Sequence, residues 1–571
     1  MKKLCAVILI LSLVLTGCGE PKESFQDYLD QLLVESYDAT DIGINFSFIN
    51  PEDFGIEPEP YDLGFVTREE YEESFSDVEE IIKELKSYKD KNLTEQEILD
   101  RDALIADFEL SLGAKDYYDY QIGTNVLGYS RAFSGNVPAY LETYDFHNER
   151  DVIGYLNFLE TLEASYSAYL DLEIERQASG HGFGQGELDE MIQQAKDSAL
   201  AMSDPDYFLI EDFATKIKAL NLDKETEYIE KQKELMNVNV SGAYALIEEK
   251  LSTITAEPST GIVNKPDGKA YYEYLIQSST GSSRSVASIR KFVEKKRVEA
   301  ITELVRVTGG DLEPYFNRYR DSDFGSFKDG YEALEFLDSA IKDDFPAIGE
   351  LNYEILNVHP SMKEASSPAF YFTPYTDYTS DYLQTIYINE DYSNSLFETM
   401  AHEGLPGHMY QFNYFLGLDM HPIRMLYTQS SNAEGWANYI ESIAYSYVEE
   451  DEDLVDFARA YNSFLQIMYI DMDLGINYDG WSYEEFYEYF EQNFGITEDT
   501  DVDEMYVYFA HNPAVYPTYF LSTLYINDMK DQVKKAKGSD YSEKEFHEVF
   551  LKSGSVGFDL IQKQIDAYIG E

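Results

Sequence analysis

Apolar residues recur along this chain mostly at spacings of three and four, the periodicity of amphipathic helices. Phe25, Tyr28, Leu29, Leu32 and Leu33 share one such face, and Phe75, Val78, Ile82 and Leu85 repeat the pattern. Thr94-x-x-Glu97 has the form of a capping box, in which each side chain accepts from the other residue's backbone N–H; a helix is therefore predicted to open there, with Ile98, Ala103 and Phe108 among its apolar residues. Ser179 to Gly186 is glycine-rich and interrupts the periodicity, which returns from Leu188 to Met202. A longer polar break from Glu257 to Gly268 holds Pro258, Gly261, Pro266 and Gly268 and separates candidate lobes 25–257 and 268–571. Between Ser367 and Asn389 the character changes. Ala369-Phe370-Tyr371-Phe372 and Thr385-Ile386-Tyr387-Ile388 are short, aromatic and β-branched, flanked by Pro368, Pro374 and Asp377, as strands are. The predicted fold is mainly α: one large multi-helix region, 25–571, with a small β-sheet just before the stretch that carries the chemistry.

Composition supports a packed protein. Aromatic residues make up 15% of the chain, including 49 tyrosines and 34 phenylalanines, and apolar residues 44%, ample for a core. The length exceeds the roughly 250–300 residues that one core usually serves. The start of the chain has a different logic. Lys2 and Lys3 precede an apolar run from Leu4 to Leu15, followed by Thr16-Gly17-Cys18, the order of a signal peptide and shorter than a comfortable membrane span. Leu15-Thr16-Gly17-Cys18 resembles a bacterial lipobox, so residues 1–17 are read as a lipoprotein signal, Cys18 as the lipidated residue and 18–24 as a short tether; a plain transmembrane anchor is the alternative. Cutting there discards Cys5 and leaves one cysteine, which excludes an intramolecular disulfide and a thiolate metal site. It also removes Lys2 and Lys3, taking the formal charge from −65 to −67. Such a surface repels nucleic acid. The acidity could favour cationic substrates or simply suit the medium.

Ser395 to Gln411 reads SLFETMAHEGLPGHMYQ. Ser395-x-x-Glu398 can cap a helix with Leu396, Phe397, Met400, Ala401 and Leu405 on its apolar side, leaving His402 and Glu403 near its C-terminal end. In common zinc sites two histidines four residues apart share a helix face, and the glutamate after the first acts as base. Here the second histidine, His408, is six residues on, about 240° round an ideal helix. Pro406 removes a backbone donor and Gly407 permits unusual dihedrals, so the pair can converge if the helix breaks between them. A further helix is predicted from Asn432, with Ala433, Trp436, Ala437, Ile440 and Ala444 apolar and Glu434, Asn438 and Glu441 as a polar stripe. Glu434 could complete a two-histidine, one-carboxylate set that leaves a fourth position open, or serve as an ordinary acid near a helix start.

At these residues the chain resembles the bacterial family known as domain of unknown function 885, which includes many lipoproteins and is related to gluzincin-like zinc metallopeptidases. The pattern His-Glu-x-x-Pro-Gly-His falls on His402, Glu403, Pro406, Gly407 and His408, and Glu-Gly-Trp-Ala-x-Tyr on Glu434, Gly435, Trp436, Ala437 and Tyr439. Pro513-Ala514-Val515-Tyr516-Pro517-Thr518-Tyr519 and Phe546-His547, with Leu551 and Gly554, match further on. The chain departs from the pattern at Met409, where many members carry a second histidine, and at Pro517 and Phe520.

The resemblance implies a gluzincin-like metallopeptidase with one Zn²⁺ per chain held by His402, His408 and Glu434. It implies Glu403 as the base acting on water and Tyr519, or else Tyr516, as a donor to the developing oxyanion. Glu441 is expected to orient a ligand, and Arg424 and Asn389 are further substrate-side candidates. The expected substrate is an extracytoplasmic peptide, with the protein on the outer face of the membrane through the Cys18 lipid. The alternatives are a peptide-binding lipoprotein without catalysis and a metal-dependent amidase acting on a non-peptide or cell-wall amide. The oligomeric state is not encoded in any of these features.

Overall fold

The structure, a computed structural model, describes residues 23–37, 42–122, 126–127, 133–322, 324–360, 363, 367–377, 382–389, 396–494 and 501–570. The expected signal, Cys18 and the Ser395 cap lie outside them.

Helix boundaries follow local chemistry. Phe25–Ser36 opens on Ser24, whose side chain accepts from the Asp27 N–H, and buries Phe25, Leu29, Leu32 and Leu33. Arg68–Leu85 and Glu95–Ser111 both begin with complete capping boxes, Thr67 with Glu70 and Thr94 with Glu97. Each box satisfies two N–H groups that the first turn leaves without intrahelical partners. The long helix Glu149–Ser179 stops on Gly180, which adopts φ 83°, a conformation glycine enters without steric cost. Gln185–Met202 follows directly. The fold is mainly helical, as predicted, with one three-stranded sheet.

That sheet has the order β1–β3–β2. β3 (Gln384–Ile388) is central, parallel to β1 (Tyr353–Asn357) and antiparallel to β2 (Ala369–Tyr371). The sequence pattern predicted β2 and β3 but not β1, which buries none of its side chains fully and so shows no clear alternation. Phe372, expected in a strand, lies just past β2.

Buried side chains form two large clusters. One draws on residues 25–251 together with Ile423, and the other on residues 262–565 together with Ala103 and Tyr120. A buried ion pair joins the two regions: Arg424 donates to Asp100 at 3.0 Å, and both side chains are 1% exposed. No described helix is long and apolar enough to cross a membrane.

Candidate metal centre

The helix Leu396–Glu403 buries Phe397, Met400 and Ala401, which turns His402 away from the core at its last turn. It ends as the Pro-Gly pair demands. The N–H groups of Gly404 and Leu405 both donate to the Met400 carbonyl, the Leu405–Pro406 peptide is cis, and a new helix, His408–Leu416, starts on His408 itself. Gly407 is the position with no room for a side chain: a Cβ there would sit 1.8 Å from the His402 carbonyl oxygen. The turn is pinned from outside by Trp436, fully buried, whose indole N–H donates to the Pro406 carbonyl at 2.8 Å. The break brings the two imidazoles together with ring centroids 4.7 Å apart and planes at 85°.

Ser430–Ala444 supplies the third donor. Glu434 is its fifth residue, so its carboxylate is placed by the helix body rather than by the helix start. This helix is fixed by Trp436 stacking on Phe550 at 5.2 Å and by Asn432, which accepts from Gln411 at 2.9 Å and donates to the Val556 carbonyl at 3.1 Å. Glu434 Oε2 lies 3.7 Å from Nε2 of both His402 and His408. The three ligand atoms fall within 4.8 Å of one another, and among the described residues no other trio of histidine, cysteine or acidic side chains does so. Tetrahedral zinc with bonds of about 2.1 Å places its ligand atoms about 3.4 Å apart. The residues present therefore fit such an ion in donor type and in spacing.

Around the trio, Glu441 Oε1 is 2.6 Å from His402 Nδ1, the arrangement that fixes which ring nitrogen faces a metal. The Tyr519 hydroxyl lies close enough to Glu434 to help keep its carboxylate ionised. Tyr519 is carried by a π-helical turn, Pro517–Leu521, which advances it relative to a regular helix. Glu403 is 7% exposed, lines the same cleft and makes no hydrogen bond to the described residues through its carboxylate. Burial pushes its carboxyl above the usual range, against the pull of His402 and His408. Burial also raises Glu434, but the two imidazoles and Tyr519 outweigh it and hold the group low. Burial pulls His402 down, and the hydrogen bond it donates to Glu441 together with the nearby carboxylates reverses this and holds it at about 9.

The cleft has a volume of about 750 Å³. β2, one of the two outer strands of the sheet, runs along one side, and Asn462, Gln466 and Tyr469 of the helix Glu452–Leu474 line the other, with Tyr516 and Tyr519. Glu434, Asn438 and Glu441 all face it, as the polar stripe predicted.

Two expected residues are elsewhere. Arg424 does not line the cleft; it is spent on Asp100 and on the Ser553 carbonyl in the interior. Asn389 is fully buried at the end of β3, where its side chain donates to the Lys363 carbonyl and its backbone N–H to that of Pro368. It shapes the segment before β2 and lies beneath the cleft wall. Tyr516 lines the cleft but packs in an aromatic cluster with Tyr469, Phe509 and Phe520. Met409 is fully buried in the second core, so a histidine there would point away from the trio. His511 faces Glu187 at 3.5 Å, and His547 bridges the Tyr439 hydroxyl and the Asp344 carbonyl; neither borders the cleft. Tyr319, Tyr445, Asn462 and Gln466 line the cleft but belong to no motif that marks them in the sequence. The one signal for their neighbour Glu398 is its spacing four residues before His402, on the same helix face.

Fold and site together define a mainly helical protein with two histidines and a carboxylate gathered at the floor of one cleft. The chain belongs to the family described as bacterial protein of unknown function (DUF885), which matches residues 52–565. Two solved structures share the fold. The putative lipoprotein from Colwellia psychrerythraea superposes with a TM-score of 0.79 at 16% identity, over 96% of this chain and 99% of that one. A putative lipoprotein of unknown function from Shewanella oneidensis gives 0.61 at 15% identity, over 96% and 98%. No curated protein matches the chain.

Proposed function

We propose that this protein is a zinc-dependent, gluzincin-like hydrolase of peptides, exported and held at the membrane by a lipid on Cys18. One observation carries the reading: the carboxylate of Glu403, without a hydrogen-bond partner among the described residues, opens into the same cleft as three metal-type donor atoms lying within 4.8 Å. A pure binding protein has no use for a base at that position. The lipid anchor is supported by the lipobox-like Leu15-Thr16-Gly17-Cys18 and by the description of both structural neighbours as putative lipoproteins.

His402, His408 and Glu434 are the residues that would hold zinc. When bound, zinc supplies Lewis acidity toward water and a carbonyl oxygen. Glu403, kept in a buried site that favours its neutral form, is suited to take a proton from the attacking water and return it to the departing amine. Tyr519 can turn its O–H from Glu434 toward negative charge that develops on the scissile carbonyl oxygen. Glu441 accepts from Nδ1 of His402 and so keeps Nε2 directed at the site. β2 lies where a sheet accepts an extended peptide by strand addition.

The test is digestion of a mixed peptide library by the zinc-loaded protein, read by mass spectrometry, beside Glu403→Gln. Cleavage by the wild type and a loss of about 10²-fold or more in the variant, with zinc retained, is expected. Equal cleavage by both proteins refutes the assignment of the base. Hydrolysis of non-peptide amides alone moves the substrate to the amidase class.

A further inference from the structure

We infer that the wall of the cleft beside His402, built from Glu398, Tyr319, Tyr445, Asn462 and Gln466, is a subsite for a cationic group of the substrate. That group is either the ammonium of a free N-terminus or a lysine or arginine side chain. The inference rests on the hydrolase reading and names the substrate it favours.

The first support is charge. Glu398, Glu403, Glu434 and Glu441 line the cleft, and no lysine or arginine does so among the described residues. A divalent ion at the trio offsets two of these charges, so the loaded cleft stays negative. A substrate carboxylate is repelled there, which argues against recognition of a peptide C-terminus. The one arginine available from sequence for that task, Arg424, is buried against Asp100.

Geometry is the second support. Glu398 and His402 are one turn apart on one helix, and on the helix opposite Glu441 lies one turn before Tyr445, the residue that caps its C-terminal end. Tyr319 donates to Asn462 Oδ1 at 3.1 Å, and Asn462 Nδ2 donates to the Tyr445 hydroxyl at 3.1 Å. Glu398 lies close enough to raise the proton affinity of both tyrosines, on which burial is the larger influence. The result is a fixed array of oxygen acceptors and aromatic faces next to a carboxylate, the surroundings an ammonium or guanidinium prefers.

Independent of charge is Gln466. It is one turn beyond Asn462, lines the cleft and is 9% exposed, yet it makes no hydrogen bond to the described residues. Its amide meets the solvent of the cleft, so it is available to a ligand there. A donor on the substrate would satisfy its oxygen.

The experiment measures binding to zinc-loaded Glu403→Gln protein by calorimetry. The probes are Ac-Ala-Ala-Xaa-Ala-Ala-NH₂ with Xaa lysine, norleucine or glutamate, and the norleucine peptide with a free N-terminus. At least one cationic peptide is expected to bind about tenfold more tightly than the blocked norleucine peptide, with the glutamate peptide weakest; tenfold corresponds to roughly 1.4 kcal/mol. Whether the lysine or the free-amine peptide gains shows which source of charge the subsite takes. Glu398→Gln in the same background should bring the ratio to within about twofold, and about 0.5 M salt should shrink it in the unmodified background even if that variant misfolds. Peptides that bind without preference, or a preference that survives both perturbations, overturn the inference and leave the hydrolase reading standing. Absence of binding by every peptide to zinc-loaded protein overturns both.

Discussion

Glu441 offers the sharpest quantitative check on the metal site, because it touches a proposed ligand without being one. Its Oε1 sits 2.6 Å from His402 Nδ1, a charge-assisted hydrogen bond that fixes the ring and strengthens it as a donor. Losing such a partner costs about 10–100-fold in metal affinity, or roughly 1.4–2.7 kcal/mol. Since the Glu441 side chain is 32% exposed, water can replace part of the interaction, and Glu441→Ala should fall in the lower part of that range, at about 10–30-fold. Glu441→Gln keeps an acceptor oxygen and loses only the charge, so about threefold is expected. The assay is competition for zinc against a chromophoric chelator, with thermal melts to confirm folding. Because Glu441, with Glu403 and Glu434, holds the metal-free imidazole at about 9, the titration belongs above that pH, where protons no longer compete for the ring. Wild-type affinity in Glu441→Ala, or equal losses in Ala and Gln, would show that the contact does not support a metal ligand.

Three further outcomes follow from the fold. Gly407→Ala should cost about 2 kcal/mol or more in a urea melt and reduce zinc capture, since its Cβ meets the His402 carbonyl at 1.8 Å; a variant with native stability and full zinc contradicts the helix break. Arg424→Ala strands a buried carboxylate and should lower stability by about 3–5 kcal/mol with zinc content unchanged; a change below about 1 kcal/mol, or loss of zinc, refutes its interior role. Burial pushes Asp473 up to about 7, against about 3.9 in an unfolded chain. Between those values the native state holds the extra proton, so stability falls as pH rises from about 4 to about 7. Asp473→Asn retains an acceptor for Tyr272 and for the Ala514 N–H and should flatten this fall, whereas identical pH profiles by urea midpoint would rule the effect out.

Much of this was legible in the sequence because it is local. Capping boxes, the Gly180 stop and the burial of Leu29 or Phe75 follow from spacing alone. The break between His402 and His408 was readable because six residues cannot place two side chains together on an unbroken helix and because Pro406 and Gly407 stand between them. The stripe of Glu434, Asn438 and Glu441 was visible, although the contact of Glu441 with His402 rather than with His408 depends on how two helices pack. Features that depend on packing were not readable. β1 is a strand only through its parallel pairing with β3. Arg424 lies between the metal motifs in sequence, yet the chain folds it into the interior against Asp100. Asn462 and Gln466 sit in a long helix with no motif, and only tertiary structure brings them to the wall beside Glu398.

The central claim is that His402, His408 and Glu434 share one metal ion, and elemental analysis of the purified protein after exposure to zinc tests it most directly. The account predicts about one zinc per chain in the wild type and in Glu403→Gln, and its loss in both His408→Ala and Glu434→Ala. A wild type that takes up no zinc, or variants that hold it as well as the wild type, would contradict the site.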